Sequence, residues 1–131
     1  MLGSAAAALL PAARAGAQMA AHREFIEAAF RMRDDAVRSG DQAYGAVVVK
    51  DGTIVGFGPS RVVLKKDWSA HAEREAIREA QARLGSRDLT GAVLYSSSRP
   101  CAECESAAAE ANIARMIHGR DGTDAGPPKR S

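Results

Sequence analysis

Two short stretches of this sequence carry most of its information: His71-Ala72-Glu73 and Pro100-Cys101-Ala102-Glu103-Cys104. Each opens a segment in which apolar residues recur at helical spacing, and Pro100 suits a first helical position because its missing N–H costs nothing there. Cys101 and Cys104 are three residues apart, so in the first turn of a helix their thiols share one face. Two thiols at that spacing can bind one zinc ion, which prefers tetrahedral sulfur and nitrogen ligands.

His71 completes a set of three protein ligands, and this set uses the only two cysteines of the chain. A catalytic zinc site with three protein ligands leaves the fourth position to water, whose pKa falls to about 7. We expect both cysteines to bind as thiolates, helped by the positive end of their helix. Glu73 is two residues from His71, so it can reach the water and move protons without binding the metal. H-x-E followed by P-C-x-x-C is the signature of zinc deaminases, which predicts that Glu73 is catalytic.

Two other interpretations of the cysteine pair remain open. A lone C-x-x-C can be a redox pair, although no thioredoxin-like setting precedes it here. It can also be half of a structural zinc ribbon, which needs two more ligands, and His22 and His118 are far apart in the sequence. The joint occurrence of both motifs favours a catalytic zinc site.

The sequence resembles the cytidine and deoxycytidylate deaminase-like superfamily, and it is most similar to the branch of small guanine, cytosine and tRNA-adenosine deaminases. The resemblance covers residues 23–119 and includes AYGAVVVKDGTIVGFG, AHAEREAIREA and LYSSSRPCAECESAAAEANIARMIHG. It implies an α/β fold in three layers, α/β/α, with a mixed central sheet. It also implies that zinc binds the His71, Cys101 and Cys104 side chains and that Glu73 shuttles protons.

For the substrate, the resemblance implies a contact from the backbone of Ala72 to the base and a ring wall near Tyr44. The implied reaction is zinc-dependent hydrolytic deamination of a free nucleobase or nucleoside, of the guanine or cytosine type, with release of ammonia. A tRNA adenosine deaminase and a non-catalytic zinc-binding protein of the same fold are the alternatives. The net charge is only +2, and it is not clustered, which argues against nucleic acid as a partner. No apolar run is long enough for a membrane span.

The sequence departs from the family's pattern at three positions near the predicted site. Ser60 stands where an Asn usually hydrogen-bonds the base, and one hydroxyl replaces an amide that offers both a donor and an acceptor. Ser60 is therefore a predicted substrate contact that leaves the identity of the base open. Arg99 stands where Glu is usual, and Trp68 stands where Pro is usual. We expect Trp68 to wall the pocket or to lie at an interface.

With 131 residues, 46% of them hydrophobic and 26% charged, the chain is long enough for one ordinary globular domain. We expect the zinc-dependent deaminase domain to cover residues 19–119. Residues 1–18 are rich in alanine and end in small residues, as the end of an export signal does, but no basic region precedes them. They are interpreted either as the remnant of a longer leader or as a disordered tail. The sequence as it stands predicts a cytoplasmic protein, and a periplasmic one if a longer leader exists.

The pattern of apolar residues predicts a mixed sheet with helices packed on it. The hairpin has its turn at Asp51-Gly52, a strong tight-turn signal, and the three consecutive valines before it indicate a strand that is covered on both faces. Ser69 is expected to cap the helix of His71 after a connecting loop over residues 59–68. The predicted elements are a helix from Ala21 to Arg38, the hairpin over residues 45–58, a helix ending near Gly85, a strand at Ala92–Tyr95, a helix at 100–111 and a strand at Ala114–His118.

Only residues 120–131 follow Gly119, and they are rich in Gly, Asp and Pro. We expect an irregular tail there, with the family's fifth strand and terminal helix missing. The strand Ala114–His118 would then be an exposed edge, which proteins usually cover by pairing or packing. Together with the resemblance, this edge predicts a homodimer whose contact lies near the helix that carries the cysteines.

Overall fold

The computed structural model describes residues 11–130, in which helices cover both faces of a five-stranded sheet. The elements in chain order are α1 (Pro11–Arg38), β1 (Gly45–Lys50), β2 (Thr53–Pro59), α2 (Val62–Lys65), α3 (Ala72–Leu84), β3 (Val93–Ser96), α4 (Ala102–Glu110), β4 (Arg115–His118) and β5 (Thr123–Gly126). The strand order is β2-β1-β3-β4-β5. Only β3 and β4 are parallel, because α4 connects them, and the other neighbours are antiparallel. The predicted α/β/α architecture with a mixed sheet is confirmed.

The three consecutive valines lie in β1, next to the centre of the sheet. Val48 packs into the core beneath α3 and α4, whereas Val47 and Val49 pack with Phe25 of α1 on the opposite face. The strand is thus covered on both faces, as its unbroken apolar run predicts. The hairpin turn is also confirmed, because Asp51 and Gly52 both have positive φ, at 51° and 76°, as a two-residue hairpin turn requires.

Two glycines of β2 bring α3 into direct contact with the sheet. A Cβ atom at Gly56 would lie 2.1 Å from the carbonyl oxygen of Ala76, and one at Gly58 would lie 2.0 Å from that of Ala72. No side chain fits into either gap, so the helix backbone rests on the strand backbone. This contact holds the first turn of α3, which begins with His71 at its N-cap, beside the end of β2.

A fifth strand is present, so the expectations of a missing strand and of a wholly irregular tail are wrong. β5 pairs antiparallel with β4, and Arg115 Nε lies 2.7 Å from a carboxylate oxygen of Asp124 across the pair. Gly119 and Gly122, both with positive φ, reverse the chain between the two strands. Glycine and aspartate serve here as turn residues of a hairpin, which their composition alone does not distinguish from an irregular tail. β4 is consequently not an edge strand.

The first helix is longer than predicted, since it begins at Pro11 and not near Ala21. The described part of the proposed leader or disordered tail, residues 11–18, is therefore helical. Residues 1–10 lie outside the described residues, and the leader hypothesis stays a prediction. Within residues 11–130, no helix combines the length and apolar character that a membrane span needs.

Candidate active site

The three candidate metal ligands lie at the starts of two helices. His71 is the N-cap residue of α3, Cys101 is the N-cap residue of α4, and Cys104 lies in the first turn of α4. Neither N-cap side chain hydrogen-bonds its own helix. The imidazole and the thiol of these caps are therefore directed to each other and not to backbone N–H groups.

Two local predictions about these helix starts are wrong. Ser69 does not cap α3, because its hydroxyl donates to Asp67 Oδ1 at 2.8 Å, inside the preceding loop. Pro100 is not the first residue of α4, which begins at Ala102. In both helices the cap position is taken by a candidate ligand of the metal.

The distances between the ligand atoms fit a tetrahedral zinc ion. His71 Nδ1 lies 3.7 Å from Cys101 Sγ and 3.5 Å from Cys104 Sγ. With zinc bonds of about 2.3 Å to sulfur and about 2.0–2.1 Å to nitrogen, tetrahedral geometry separates sulfur and nitrogen by about 3.6 Å. No other His, Cys, Asp or Glu between residues 11 and 130 joins this group. His71, Cys101 and Cys104 thus form a candidate donor set that suits zinc with an open fourth position, and their role as ligands stays a prediction.

The Cys104 side chain lies in surroundings that oppose its negative charge. Burial raises the pKa of its thiol far above the ordinary value, and the Glu73 carboxylate and the neighbouring Cys101 thiol raise it further. These surroundings favour the neutral thiol in the absence of a metal ion, and the binding of Cys104 to zinc as a thiolate stays a prediction. A metal ion must displace the proton of Cys104 as it binds, which makes metal binding depend on pH.

Glu73 is a buried carboxyl group, with 6% of its surface exposed. Burial raises its pKa above the ordinary value, while its own backbone amide, His71 and Cys104 act in the opposite direction. A buried carboxyl group with a raised pKa next to a cluster of candidate metal ligands is a candidate for accepting and returning a proton.

A cavity of about 690 Å³ opens onto the ligand cluster. Tyr44, Ser60 and Ala72, the three predicted substrate contacts, all belong to its lining. Trp68 also lines it, with 82% of its surface exposed, so this side chain walls the mouth of the pocket and is not part of the core. The complete lining is Gln42, Tyr44, Ser60, Trp68, His71, Ala72, Glu73, Ser98, Arg99 and Cys101.

Ser60 is fully buried, as Ala72 is, whereas Tyr44 is exposed. Its hydroxyl donates to Asp41 Oδ1 at 2.9 Å, so the proton of this hydroxyl is committed to Asp41. The other Asp41 oxygen accepts the N–H of Leu64 at 2.8 Å. Partial burial raises the pKa of Asp41, but the hydrogen bonds from Leu64, Gln42 and Ser60 outweigh it, so the pKa is lowered and the group is ionised.

Asp41 thereby ties the end of α1 to the loop between β2 and α3. That loop contains α2, a helix of one turn that the sequence did not predict. Gln42 and Ser98 are further lining residues that the motifs did not reveal, because both lie outside the helices and strands. The only local signal for Asp41 was its position at the end of a helix, beside Gly40.

Comparison with known proteins identifies the family. Residues 19–120 match the model of the cytidine and deoxycytidylate deaminase zinc-binding region. The chain is 36% identical over 105 residues to guanine deaminase of Bacillus subtilis, a match that covers 79% of this chain and 67% of that protein. It is 37% identical over 93 residues to tRNA-specific adenosine deaminase of Aquifex aeolicus, which covers 71% of this chain and 62% of that protein.

The fold agrees with these similarities. The crystal structure of guanine deaminase from Bacillus subtilis superposes with a TM-score of 0.72 at 35% identity, over 75% of this chain and 63% of that chain. The chain thus spans about two thirds or less of the length of these relatives. The family match covers both motifs and the whole ligand cluster. The chain belongs to the cytidine and deoxycytidylate deaminase family, in the nucleoside deaminase branch with a zinc-binding domain.

Proposed function

We propose that this protein catalyses the zinc-dependent hydrolytic deamination of a free nucleobase or nucleoside, of the guanine or cytosine type, and releases ammonia. One observation carries the proposal. A cluster of His71, Cys101 and Cys104 with zinc-like spacing lies on the same cavity as the buried carboxyl group of Glu73. Folding alone does not require this carboxyl group, and its burial costs free energy, which argues against a non-catalytic zinc protein.

In this mechanism, His71, Cys101 and Cys104 hold the zinc ion. When bound, zinc supplies a water of lowered pKa as the nucleophile. Glu73 would take one proton of the nucleophile and deliver it to the ring nitrogen beside the attacked carbon. It would then take the remaining proton of the added hydroxyl and deliver it to the departing amine, which leaves as ammonia. Burial raises the pKa of Glu73, which favours the protonated form relative to that of an exposed carboxyl group.

Three residues that line the cavity are the proposed substrate contacts. Ala72 is the first residue of α3, and its backbone N–H has no partner within the helix, which leaves it free for an oxygen or nitrogen of the base. Tyr44 presents its ring to the cavity with 47% of its surface exposed. Ser60 shapes the wall through Asp41, and its hydroxyl oxygen retains only acceptor capacity.

The test is an ammonia-release assay with a panel of nucleobases and nucleosides, run on the zinc-loaded protein and on two variants. Glu73→Gln keeps the shape of the side chain but cannot shuttle a proton, so turnover falls by about 10²–10⁴. Glu27→Gln makes the same change on the exposed side of α1 and leaves turnover unchanged. Turnover of Glu73→Gln within tenfold of the parent would assign the proton shuttle to another group, and no ammonia from any compound would refute the proposal.

A tRNA adenosine deaminase is the second candidate, because the chain is 37% identical to such an enzyme and 36% identical to a guanine deaminase. The net charge of +2 supplies little attraction for a polyanion. An RNA stem-loop with a single adenosine in its loop distinguishes the two candidates. Inosine formation in that RNA, with no ammonia from any free base or nucleoside, would favour the second.

A homodimer remains a prediction of the family resemblance. The argument from an exposed β4 edge no longer applies, since β5 covers that strand. We expect two chains to associate with the exposed side of α4 near the contact. Light scattering at micromolar concentration measures the mass, and a monomer under those conditions would refute the prediction.

A further inference from the structure

The cavity of the candidate active site carries one arginine on its wall. Arg99 lines the same cavity as Glu73 and the metal-ligand cluster, and its side chain is exposed. It precedes Cys101 by two residues, so the two Cα atoms are at most about 7 Å apart. The guanidinium is therefore tethered next to the reaction site by a short piece of backbone.

This guanidinium has no anionic partner in the protein. No ion pair or hydrogen bond involves the Arg99 side chain among residues 11–130. By contrast, Arg78 and Arg115 are each paired with a carboxylate at 2.8 Å or less. Arg99 is thus free to bind a carboxylate or a phosphate. The planar guanidinium can donate two parallel hydrogen bonds to either group, which matches their geometry.

The two ends of the cavity differ in their exposure to solvent. Glu73 is buried at its inner end, whereas Trp68 and Arg99 are exposed at its mouth. The volume of about 690 Å³ lies within the range of roughly 300–1,000 Å³ that holds drug-sized ligands. A base bound against Ala72 and Glu73 therefore leaves room for a substituent that extends toward Arg99.

We propose that Arg99 forms a binding subsite for an anionic substituent, a phosphate or a carboxylate, on the base or nucleoside that enters this cavity. The inference rests on the proposed function only for the identity of the base. The anion pairs with the guanidinium at the mouth, away from the buried negative charge of Glu73. The subsite thus orients the substrate with its base inward.

Direct binding tests the subsite without any turnover. Trp68 is the only tryptophan of the chain, and it lines the cavity, so its fluorescence reports occupancy. The probes are matched pairs: cytidine and cytidine monophosphate, guanosine and guanosine monophosphate, cytosine and 5-carboxycytosine. We expect at least one anionic probe to bind about tenfold tighter than its neutral partner, in line with a charge-assisted hydrogen bond. The pair that shows the gain identifies phosphate or carboxylate as the preferred group.

Two substitutions assign that gain to Arg99. Arg99→Gln removes the preference for the anionic probe and leaves the neutral probe unaffected, whereas Arg99→Glu makes the anionic probe bind worse than the neutral one. Lys66→Gln is the matched control, because Lys66 is an exposed cation without an ion pair among the described residues and lies on an adjoining depression. In Lys66→Gln, the ratio of the affinities for the anionic and the neutral probe stays within twofold of the ratio in the parent.

Several results would overturn the subsite. These are no preference for any anionic probe, a preference that survives Arg99→Gln, or a preference that Lys66→Gln removes equally. Tighter binding of a short single-stranded RNA than of any monomeric probe would also overturn it, in favour of nucleic acid. If the preference depends on Arg99 but no ammonia is released, the subsite is supported and the proposed deaminase activity is refuted. If ammonia is released but no anionic probe is preferred, the deaminase activity is supported and the subsite is refuted.

Discussion

The inner end and the rim of the cavity are built in opposite ways. The inner end, which we define as His71, Glu73 and Cys104, lies at the starts of α3 and α4, and α3 rests directly on β2. The rim, which we define as Gln42, Tyr44, Trp68 and Arg99, lies outside the helices and strands, and its Tyr44, Trp68 and Arg99 are exposed.

This difference separates chemistry from specificity. The inner end is held by backbone packing, which tolerates almost no change, so a fixed metal geometry can be maintained there. At the rim, Asp41 accepts hydrogen bonds from the backbone of Gln42 and Leu64, and the exposed rim side chains can be exchanged at little cost in stability. We therefore expect substitutions at the inner end to abolish metal binding or turnover, and substitutions at the rim to alter substrate binding.

The largest effect is expected from loss of a metal ligand. Cys101→Ala changes an exposed residue, so the fold is maintained while the ligand set falls from three to two and zinc is lost. Cys104→Ala has the same effect on zinc at a buried position. Elemental analysis of the purified variants measures the metal, with about one zinc per chain in the parent.

His118→Gln is the control, since it replaces a histidine outside the cluster and retains the zinc. Full zinc occupancy in Cys101→Ala or Cys104→Ala would refute the ligand assignment.

A smaller but still large effect is expected from Gly58→Ala. The new methyl group would lie 2.0 Å from the carbonyl oxygen of Ala72, so α3 must move away from β2. We expect a loss of about 3 kcal/mol in the free energy of unfolding, measured by urea denaturation.

The same change at Gly16, which is exposed in α1 with nothing within 4 Å of the added atom, is the control. Gly16→Ala is neutral or stabilises by up to about 1 kcal/mol through helix propensity. Equal stability of the two variants would show that α3 does not depend on this contact.

At the rim, Asp41→Ala removes the acceptor for Leu64 N–H and for the buried hydroxyl of Ser60. We expect a loss of about 1–3 kcal/mol in stability, because both donors are left unpaired. We also expect KM to rise by about tenfold while kcat changes less than threefold. The control is Asp121→Ala, at an exposed carboxylate on the turn after β4, which changes neither the stability nor KM. A tenfold fall of kcat in Asp41→Ala would contradict the separation of rim and inner end.

The same carboxylate predicts a dependence on pH. The pKa of Asp41 is lower in the folded protein than its ordinary value, so its contribution to stability is present above the unfolded pKa of about 3.9. That contribution is lost as the pH falls through the folded pKa. Stability measured from pH 6 down to pH 3 should decline less steeply in Asp41→Ala than in the parent, and parallel profiles would contradict this assignment.

The smallest effect on folding is expected from Trp68→Ala. Because 82% of the indole is exposed, the free energy of unfolding changes by less than about 0.5 kcal/mol. The apparent affinity for the substrate falls by about 0.5–1.5 kcal/mol, up to tenfold, through loss of the aromatic wall. The control is Leu84→Ala, at an exposed apolar residue of α3 outside the cavity, which leaves the affinity unchanged. If Trp68→Ala lowers the free energy of unfolding by more than about 1 kcal/mol, the indole contributes to the core and the prediction is wrong.

The sequence by itself determined the layers of the fold and identified the candidate residues of the metal site. His71, Glu73, Cys101 and Cys104 could be recognised because their spacing is local to two helix starts, and the three valines marked a strand that is covered on both faces. The residue types of a metal site are restricted enough that a short motif identifies them.

Only the tertiary structure decided how the rim is assembled and that β5 forms the last strand of the sheet. Asp41 is far in the sequence from Ser60 and Leu64, and it meets both through hydrogen bonds that no local pattern encodes. β5 was not predicted, because glycine and aspartate are equally compatible with a tight turn and with an irregular tail until β4 provides a partner. Local motifs encode ligands and periodicity, whereas contacts between loops depend on where the packed core places their ends.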